Sequence, residues 1–236
     1  MIKAIMWDVD NTLYDLMTVK KASVEAAVDA MIDVGLTIPK EEMVKHIFDF
    51  YAQEGFEHQQ VFSLVLNRLF GTIDYKLLSA GIVGYRRAKA GILTVYPGTN
   101  RTLLELSRMG IKFCVVTDAP KLEVWLRLAW LGLNNYFDTL VTAEDAGARK
   151  PDPAPFKLAL QALGTKPEET LMVGDWVARD IVGAKALGIT TCWAKYGNFC
   201  EDKTSGADYE LNHIYEVVEI IRRTRCLRDL PPKPLC

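Results

Sequence analysis

Short apolar segments alternate with amphipathic segments through the second half of the chain, and this alternation limits the fold more than any other feature. Ile111–Thr117 is almost continuously apolar, as expected of a parallel strand covered on both faces. Strands that alternate with helices indicate βαβ units, and therefore a Rossmann-like α/β core in which helices cover both faces of a parallel sheet in three layers. The predicted strands are Ile2–Trp7, Ile111–Thr117, Thr139–Thr142, Thr170–Val173 and Ile189–Ala194. The predicted helices between and after them include Thr99–Met109, Lys121–Leu131, Asp152–Leu163 and Asp180–Leu187.

The segment between the first two predicted strands is helical throughout. Val24, Ala27 and Met31 recur at helical spacing, and Gly35 ends that helix. A segment of roughly 80 residues is too long to be a loop. The sequence therefore predicts a core domain of residues 1–13 and 95–236, interrupted by an inserted all-helical domain of residues 14–94.

Composition excludes several classes of protein. Lys and Arg number 28 against 30 Asp and Glu, which disfavours a protein held to nucleic acid by phosphate contacts. No apolar run approaches the roughly 18 residues of a membrane span, and the N-terminus lacks the apolar region of a secretory signal. The five cysteines contain no CxxC pair, which favours a reducing compartment. We therefore expect a cytoplasmic protein with neither a nucleic-acid nor a membrane partner.

The C-terminal segment 222–236 is rich in arginine, lysine and proline. Such a segment can bind an anionic partner. We favour the simpler interpretation, a helix end with compatible positive charge followed by a frayed tail.

Acidic residues follow two of the predicted strands at the point where each strand ends. Asp8 and Asp10 follow the first strand, and Asp175 and Asp180 follow the fourth. Ligands of open α/β sheets bind at this edge, where gathered carboxylates repel one another unless a cation offsets their charge. In each pair, one aspartate can be explained as a helix cap or a turn residue. That explanation does not account for Asp8 and Asp10 together. An oxygen-seeking divalent ion such as Mg²⁺ suits this set.

Residues that can hold an anion follow the second and third strands. The hydroxyl of Thr117 and the backbone N–H groups after it can bind phosphoryl oxygens, and Lys150 can neutralise their charge. Each signal is weak alone, because threonine is common in turns and most lysines are solvated. Since every piece follows a strand of one parallel sheet, all should meet at the same edge. The combined set suits Mg²⁺-assisted phosphoryl transfer.

The ordered set of motifs resembles the haloacid dehalogenase superfamily, and the resemblance covers essentially the whole chain. The matches are Asp8-Val9-Asp10-Asn11-Thr12 for the DxDx[TV] motif, Thr117 for the second motif, Lys150 for the third, and Gly174-Asp175 with Asp180 for GDxxxxD. The helical insertion lies where the C1-type cap of this family lies. A helical lid over a site at the end of a sheet favours a small phosphorylated substrate over a macromolecule. We expect a monomer or homodimer.

The resemblance also implies a role for each acidic residue. Asp8 would be the nucleophile that forms an aspartyl-phosphate, and Asp10 would protonate the leaving alcohol and then activate water. Mg²⁺ would be held by the carboxylates of Asp8 and Asp175 and by the backbone carbonyl of Asp10. Asp180 would support the water shell of the metal or Lys150.

The remaining motif residues would bind the phosphoryl group. Thr117 and the backbone N–H groups of Asp118 and Ala119 would contact its oxygens, and Lys150 would stabilise the charge on Asp8 and on the transferring group.

Asp10 separates the activities of this family. Members that cleave carbon–halogen bonds lack an acid at this position, since a halide needs no proton, whereas an alkoxide leaving group does. A phosphomonoester hydrolase is therefore predicted. A phosphomutase of the same family and a non-catalytic binding module on the same scaffold remain alternatives, although the second would be expected to have lost a motif residue.

Overall fold

The computed structural model of the protein describes residues 1–226, which form two compact units. One unit consists of Met1–Asp15 and the described residues from Thr94 onward, and the other consists of Leu16–Leu93. The strands are β1 (Ala4–Trp7), β2 (Lys112–Thr117), β3 (Thr139–Thr142), β4 (Thr170–Gly174), β5 (Thr190–Ala194) and β6 (Tyr209–Leu211). The α-helices are α1 (Leu16–Asp33), α2 (Lys40–Glu54), α3 (Val61–Phe70), α4 (Tyr75–Ile92), α5 (Thr99–Arg108), α6 (Lys121–Trp130), α7 (Ala143–Ala146), α8 (Pro153–Leu163), α9 (Val182–Lys185) and α10 (Glu216–Cys226).

The strands form a six-stranded parallel sheet in the order β3-β2-β1-β4-β5-β6. In β1, Trp7 is in register with Val115 of β2 on one side and with Val173 of β4 on the other. The predicted α/β class with a Rossmann-like parallel sheet is confirmed. The sequence prediction missed β6, which is three residues long and has two exposed side chains.

Both faces of the sheet are buried, which explains why the central strands are mostly apolar. On one face Met6, Cys114 and Met172 pack in a single cluster with Phe156 of α8. Successive side chains of a strand point to opposite faces, so Trp7 lies on the other face, where its ring meets Phe113 edge-on at 6.2 Å. The buried Cys114 is a free thiol that packs as a small apolar side chain.

The strand order reverses at β1, and this reversal locates the site. The chain continues from β1 to β2 on one side, and β4 lies on the other side. The carboxyl ends of these strands are therefore neighbours at the position where open α/β sheets bind ligands. The N–H of Asp8 donates to the carbonyl of Val173 at 2.9 Å, which carries the pairing one residue beyond β1.

One predicted helix takes a different form. Instead of a single helix over Asp180–Leu187, the chain makes a π-helical turn at Val177–Ile181 that leads into the short α9. Asp180 is therefore inside the turn and not a cap of the following helix, and its side chain is buried.

Leu16–Leu93 is an all-helical unit built from α1 to α4 with a core of its own. Val24, Ala27 and Met31, predicted to share one helix face, are fully buried in that core. A side chain at Gly84 would place its Cβ 2.7 Å from the carbonyl oxygen of Ala26, so this glycine allows α4 to approach α1 closely.

Two further findings concern expectations from composition. Among the helices of residues 1–226, none is both long enough and apolar enough to cross a membrane. The expected frayed tail from residue 227 onward lies outside the described residues.

Candidate active site

A buried lysine joins the ends of the central strands. Lys150 Nζ donates to Asp8 Oδ1 at 2.7 Å, to Asp180 Oδ1 at 2.6 Å and to the carbonyl oxygen of Val116 at 2.9 Å. These bonds use all the N–H donors of an ammonium group. The Lys150 side chain is only 3% exposed, so its charge is neutralised by the protein and not by water.

Asp175, directly after β4, completes a group of three buried aspartates. One carboxylate oxygen each from Asp8, Asp175 and Asp180 lie within 4.8 Å of one another. Burial raises the pKa of Asp8 from 3.8 to about 8 despite Lys150, and burial together with the other two carboxylates raises the pKa of Asp175 to about 9. Burial lowers the pKa of Lys150, but Asp180, Asp8 and Asp118 outweigh burial and raise it above its usual value. The cluster therefore holds more acid than its lysine can neutralise.

This donor set fits a divalent cation. Three carboxylates beside one ammonium leave a surplus of negative charge when all are ionised. Closely spaced oxygen donors are what Mg²⁺ binds, and its charge would offset the surplus. Asp8 and Asp175 would hold the ion, with Asp180 shared between this group and Lys150.

Thr117 and its neighbours end β2 beside the aspartates. The Thr117 hydroxyl accepts the N–H of Ala119 at 3.2 Å. The Asp118 carboxylate accepts the backbone N–H of Lys150 at 3.0 Å and a guanidinium N–H of Arg179 at 2.9 Å. The Asp118 side chain thus fixes the segment that carries Lys150. The binding of phosphoryl oxygens by Thr117, Asp118 and Ala119 stays a prediction.

Asp10 has surroundings of a different kind from those of Asp8. Its carboxylate is not a member of the acidic group. The Tyr14 hydroxyl donates to Asp10 Oδ1 at 2.6 Å, and Arg127 Nη1 donates to Oδ1 at 3.0 Å and to Oδ2 at 2.9 Å. Metal binding by the backbone carbonyl of Asp10 likewise stays a prediction.

The loop after β5 supports the turn after β1, which carries Asp8 and Asp10. The Tyr196 hydroxyl donates to the carbonyl oxygen of Thr12 at 2.8 Å. A Cβ at Gly197 would lie 1.6 Å from the carbonyl oxygen of Asn11, so only glycine permits this packing. In β5 itself, the indole N–H of Trp193 donates to the carbonyl oxygen of Asp175 at 2.9 Å. The backbone of the acidic site is therefore fixed from β5 as well.

Arg127 and Arg179 belong to the site but were not predicted from the sequence. Arg127 lies between Val124 and Leu128 on the buried face of α6, and an arginine at helical spacing among apolar residues is the signal that could have indicated it. Arg179 gave no such signal, because its contact with Asp118 depends on how separate loops meet.

Comparison with known proteins gives one family. Residues 2–188 match the family described as haloacid dehalogenase-like hydrolase. The glyceraldehyde 3-phosphate phosphatase of Methanocaldococcus jannaschii is 36% identical over 228 residues, which cover 95% of this chain and 99% of that protein. Pyrophosphatase PpaX of Oceanobacillus iheyensis is 29% identical over 228 residues, covering 93% and 97% of the two chains.

A solved structure gives the same result. The crystal structure of a HAD phosphatase from Thermococcus onnurineus matches with a TM-score of 0.67 at 29% identity, covering 93% of this chain and 98% of that one. The motifs, the sheet and the sequence matches agree, and the chain belongs to the haloacid dehalogenase-like hydrolases.

Proposed function

We propose that the protein is a Mg²⁺-dependent phosphatase that hydrolyses a small phosphate monoester through an aspartyl-phosphate on Asp8. The observation that carries the proposal is the buried Asp8 carboxylate, held by Lys150 within a group of three aspartates, with Asp10 two residues further along. The names of the relatives, phosphatases of small phosphorylated compounds, support the same class of reaction.

In the first step a carboxylate oxygen of Asp8 attacks phosphorus, and the bond from phosphorus to the ester oxygen breaks. Asp10 gives its proton to that leaving oxygen, so an alcohol departs instead of an alkoxide. Lys150, already bonded to Asp8, offsets negative charge on the nucleophile and on the phosphoryl group. Mg²⁺ held by Asp8 and Asp175 would supply further positive charge to the same phosphoryl oxygens.

In the second step Asp10 takes a proton from water, and the water oxygen attacks phosphorus. The bond from phosphorus to the Asp8 oxygen breaks, which releases inorganic phosphate and restores the Asp8 carboxylate. Thr117 and the N–H groups of Asp118 and Ala119 would hold the phosphoryl oxygens during both steps.

We also propose the domain division predicted from the sequence, with residues 14–94 as the cap that selects the substrate.

A three-carbon sugar phosphate is the first substrate to test, since the M. jannaschii relative is named for glyceraldehyde 3-phosphate. Pyrophosphate is the second candidate, because PpaX also matches over nearly the whole chain. The presence of Asp10 favours the phosphate ester over pyrophosphate, because an alkoxide leaving group needs a proton more than a phosphate leaving group does.

The test is phosphate release from glyceraldehyde 3-phosphate, pyrophosphate and p-nitrophenyl phosphate, each with Mg²⁺ and with EDTA. Asp8→Asn should abolish release, whereas Asp138→Asn, the same change at an exposed position, should leave it unchanged. Turnover that is equal in EDTA, or an Asp8→Asn variant as active as the wild type, would contradict the mechanism. An isomerised product without free phosphate would indicate a phosphomutase instead.

A further inference from the structure

We propose that Arg127 and Tyr14 are positioning residues that orient Asp10 for proton transfer to the leaving group. The inference rests on the proposed function, because it concerns the part that Asp10 takes in the phosphatase reaction. Neither residue belongs to the motifs that identify the family.

The contacts fix both the place and the plane of the Asp10 carboxylate. A single nitrogen of Arg127 reaches both carboxylate oxygens, at 3.0 and 2.9 Å, and the Tyr14 hydroxyl reaches Oδ1 at 2.6 Å. Charge-assisted bonds of this length are strong and directional. The three bonds come from α6 and from the segment after β1, so the carboxylate is restrained from two sides.

The same contacts distinguish the two oxygens of Asp10. Among the described residues, Oδ1 accepts two hydrogen bonds and Oδ2 accepts one. Each carboxylate oxygen has two lone pairs, so Oδ2 keeps one lone pair for a proton while Oδ1 is fully used. We therefore assign Oδ2 as the oxygen that gives the proton to the leaving group and later takes one from water.

Arg127 is itself buried on the inner face of its helix. Its side chain is 5% exposed, and its neighbours on α6, Val124 and Leu128, are completely buried. A displacement of a reacting group by about 1 Å can cost about 100-fold in rate. Because Arg127 is buried on α6 and bonded to both carboxylate oxygens, it limits how far the Asp10 carboxylate can move.

A buried Arg–Asp pair can also serve only to stabilise the fold, and the leaving group separates the two roles. A phosphate ester with an alkoxide leaving group depends on a well-placed acid. p-Nitrophenyl phosphate does not, because its phenolate leaves without a proton. A merely structural role would lower the rates for both esters equally.

The experiment measures kcat/KM, which reports steps up to the transfer of the phosphoryl group to Asp8, for glyceraldehyde 3-phosphate and p-nitrophenyl phosphate. Arg127→Met keeps the length of the stem and removes the charge, and Arg127→Lys restores a cationic nitrogen. Leu126→Ala on the exposed face of the same helix is the control. Because general acid catalysis contributes about 100-fold or more, Arg127→Met should lose at least about tenfold with the alkyl ester and less than about threefold with the aryl ester. Arg127→Lys should recover part of the loss, and Leu126→Ala should match the wild type.

Tyr14→Phe is a second variant for the case that Arg127→Met does not fold. It removes one hydroxyl that donates to Asp10 and changes no charge. It should show the same preference for the aryl ester. Equal losses with both esters, or no loss with either, would overturn the inference. Failure of the proposed function would be seen separately, as a wild type that hydrolyses neither ester faster than Asp8→Asn does, and it would overturn this inference as well.

Discussion

Replacing Gly197 with alanine would place a methyl group where a backbone oxygen already lies. The new Cβ would be 1.6 Å from the carbonyl oxygen of Asn11 and 2.7 Å from its carbonyl carbon. Neither obstacle is the end of a flexible side chain, so the backbone itself must move. Asn11 follows Asp10 directly and has a left-handed φ of 56°, which leaves this turn few ways to adjust.

The size of the effect follows from that overlap. The separation must grow from 1.6 Å to at least 3.0 Å, the distance below which Cβ atoms essentially never approach other atoms. Overpacking of this kind costs about 1–3 kcal/mol, and in a chain of this size each kcal/mol lowers Tm by about 2–4 °C. Because a shift of about 1 Å in a reacting group can cost about 100-fold in rate, kcat/KM should fall by about that factor through the displacement of Asp8 and Asp10.

The assay combines thermal unfolding with phosphate release. Gly91→Ala is the matched control, because a Cβ there meets nothing within 4 Å and the residue lies in α4, where alanine favours the helix. We expect Gly197→Ala to lose stability and most activity, and Gly91→Ala to lose neither. A Gly197→Ala protein with wild-type Tm and kcat/KM would show that the loop after β5 does not fix the turn that carries Asp8 and Asp10.

Three further predictions concern the acidic group. Asp175→Asn should weaken Mg²⁺ binding by at least about 10–100-fold, since even residues behind a metal ligand contribute this much, and titration calorimetry should show no such change for Asp138→Asn. Lys150→Met should destabilise the protein by about 3–5 kcal/mol in urea unfolding, because it removes the partner of two buried carboxylates, whereas Lys157→Met at an exposed site should not. The raised pKa values of Asp8 and Asp175, about 8 and about 9, mean that the folded metal-free protein binds protons that the unfolded chain releases. The Tm of the metal-free protein should therefore fall as the pH rises from about 6 to about 9. Mg²⁺ should raise Tm most at the higher pH. An increase of the metal-free Tm over this range would contradict the prediction.

The elements that could be predicted from the sequence are those whose burial is visible in the residues themselves. β2 could be identified because it is almost continuously apolar, which follows from burial of both faces of the sheet. β6 has no such pattern because two of its three side chains are exposed. The π-helical turn at Val177–Ile181 could not be predicted from local sequence. In this turn the buried Asp180 carboxylate accepts hydrogen bonds from Lys150 and from the N–H of Trp176, and the first of these contacts comes from a distant segment of the chain.

The same distinction applies to the site. Asp8, Lys150 and Asp175 could be predicted to meet because each follows a strand, and the parallel sheet brings the strand ends together. Arg127 reaches Asp10 from the last turn of α6, and no rule about strand ends predicts a contact from that position. Asp118 was expected to contribute only its backbone N–H, but its carboxylate holds Lys150 and Arg179, which requires knowledge of the loop conformations.

Asp8 and Asp10 are two residues apart, yet different elements supply their cations. Asp8 is bonded to Lys150, from the loop before α8, within a buried acidic group, whereas Asp10 is bonded to Arg127 from α6 and to the Tyr14 hydroxyl. Two carboxylates with separate partners can take separate roles, one as nucleophile and one as acid and base. A change in α6 should then affect proton transfer while the nucleophile keeps its lysine. Dependence on the leaving group, and not total activity, is therefore the quantity that distinguishes a defect at Asp10 from a defect at Asp8.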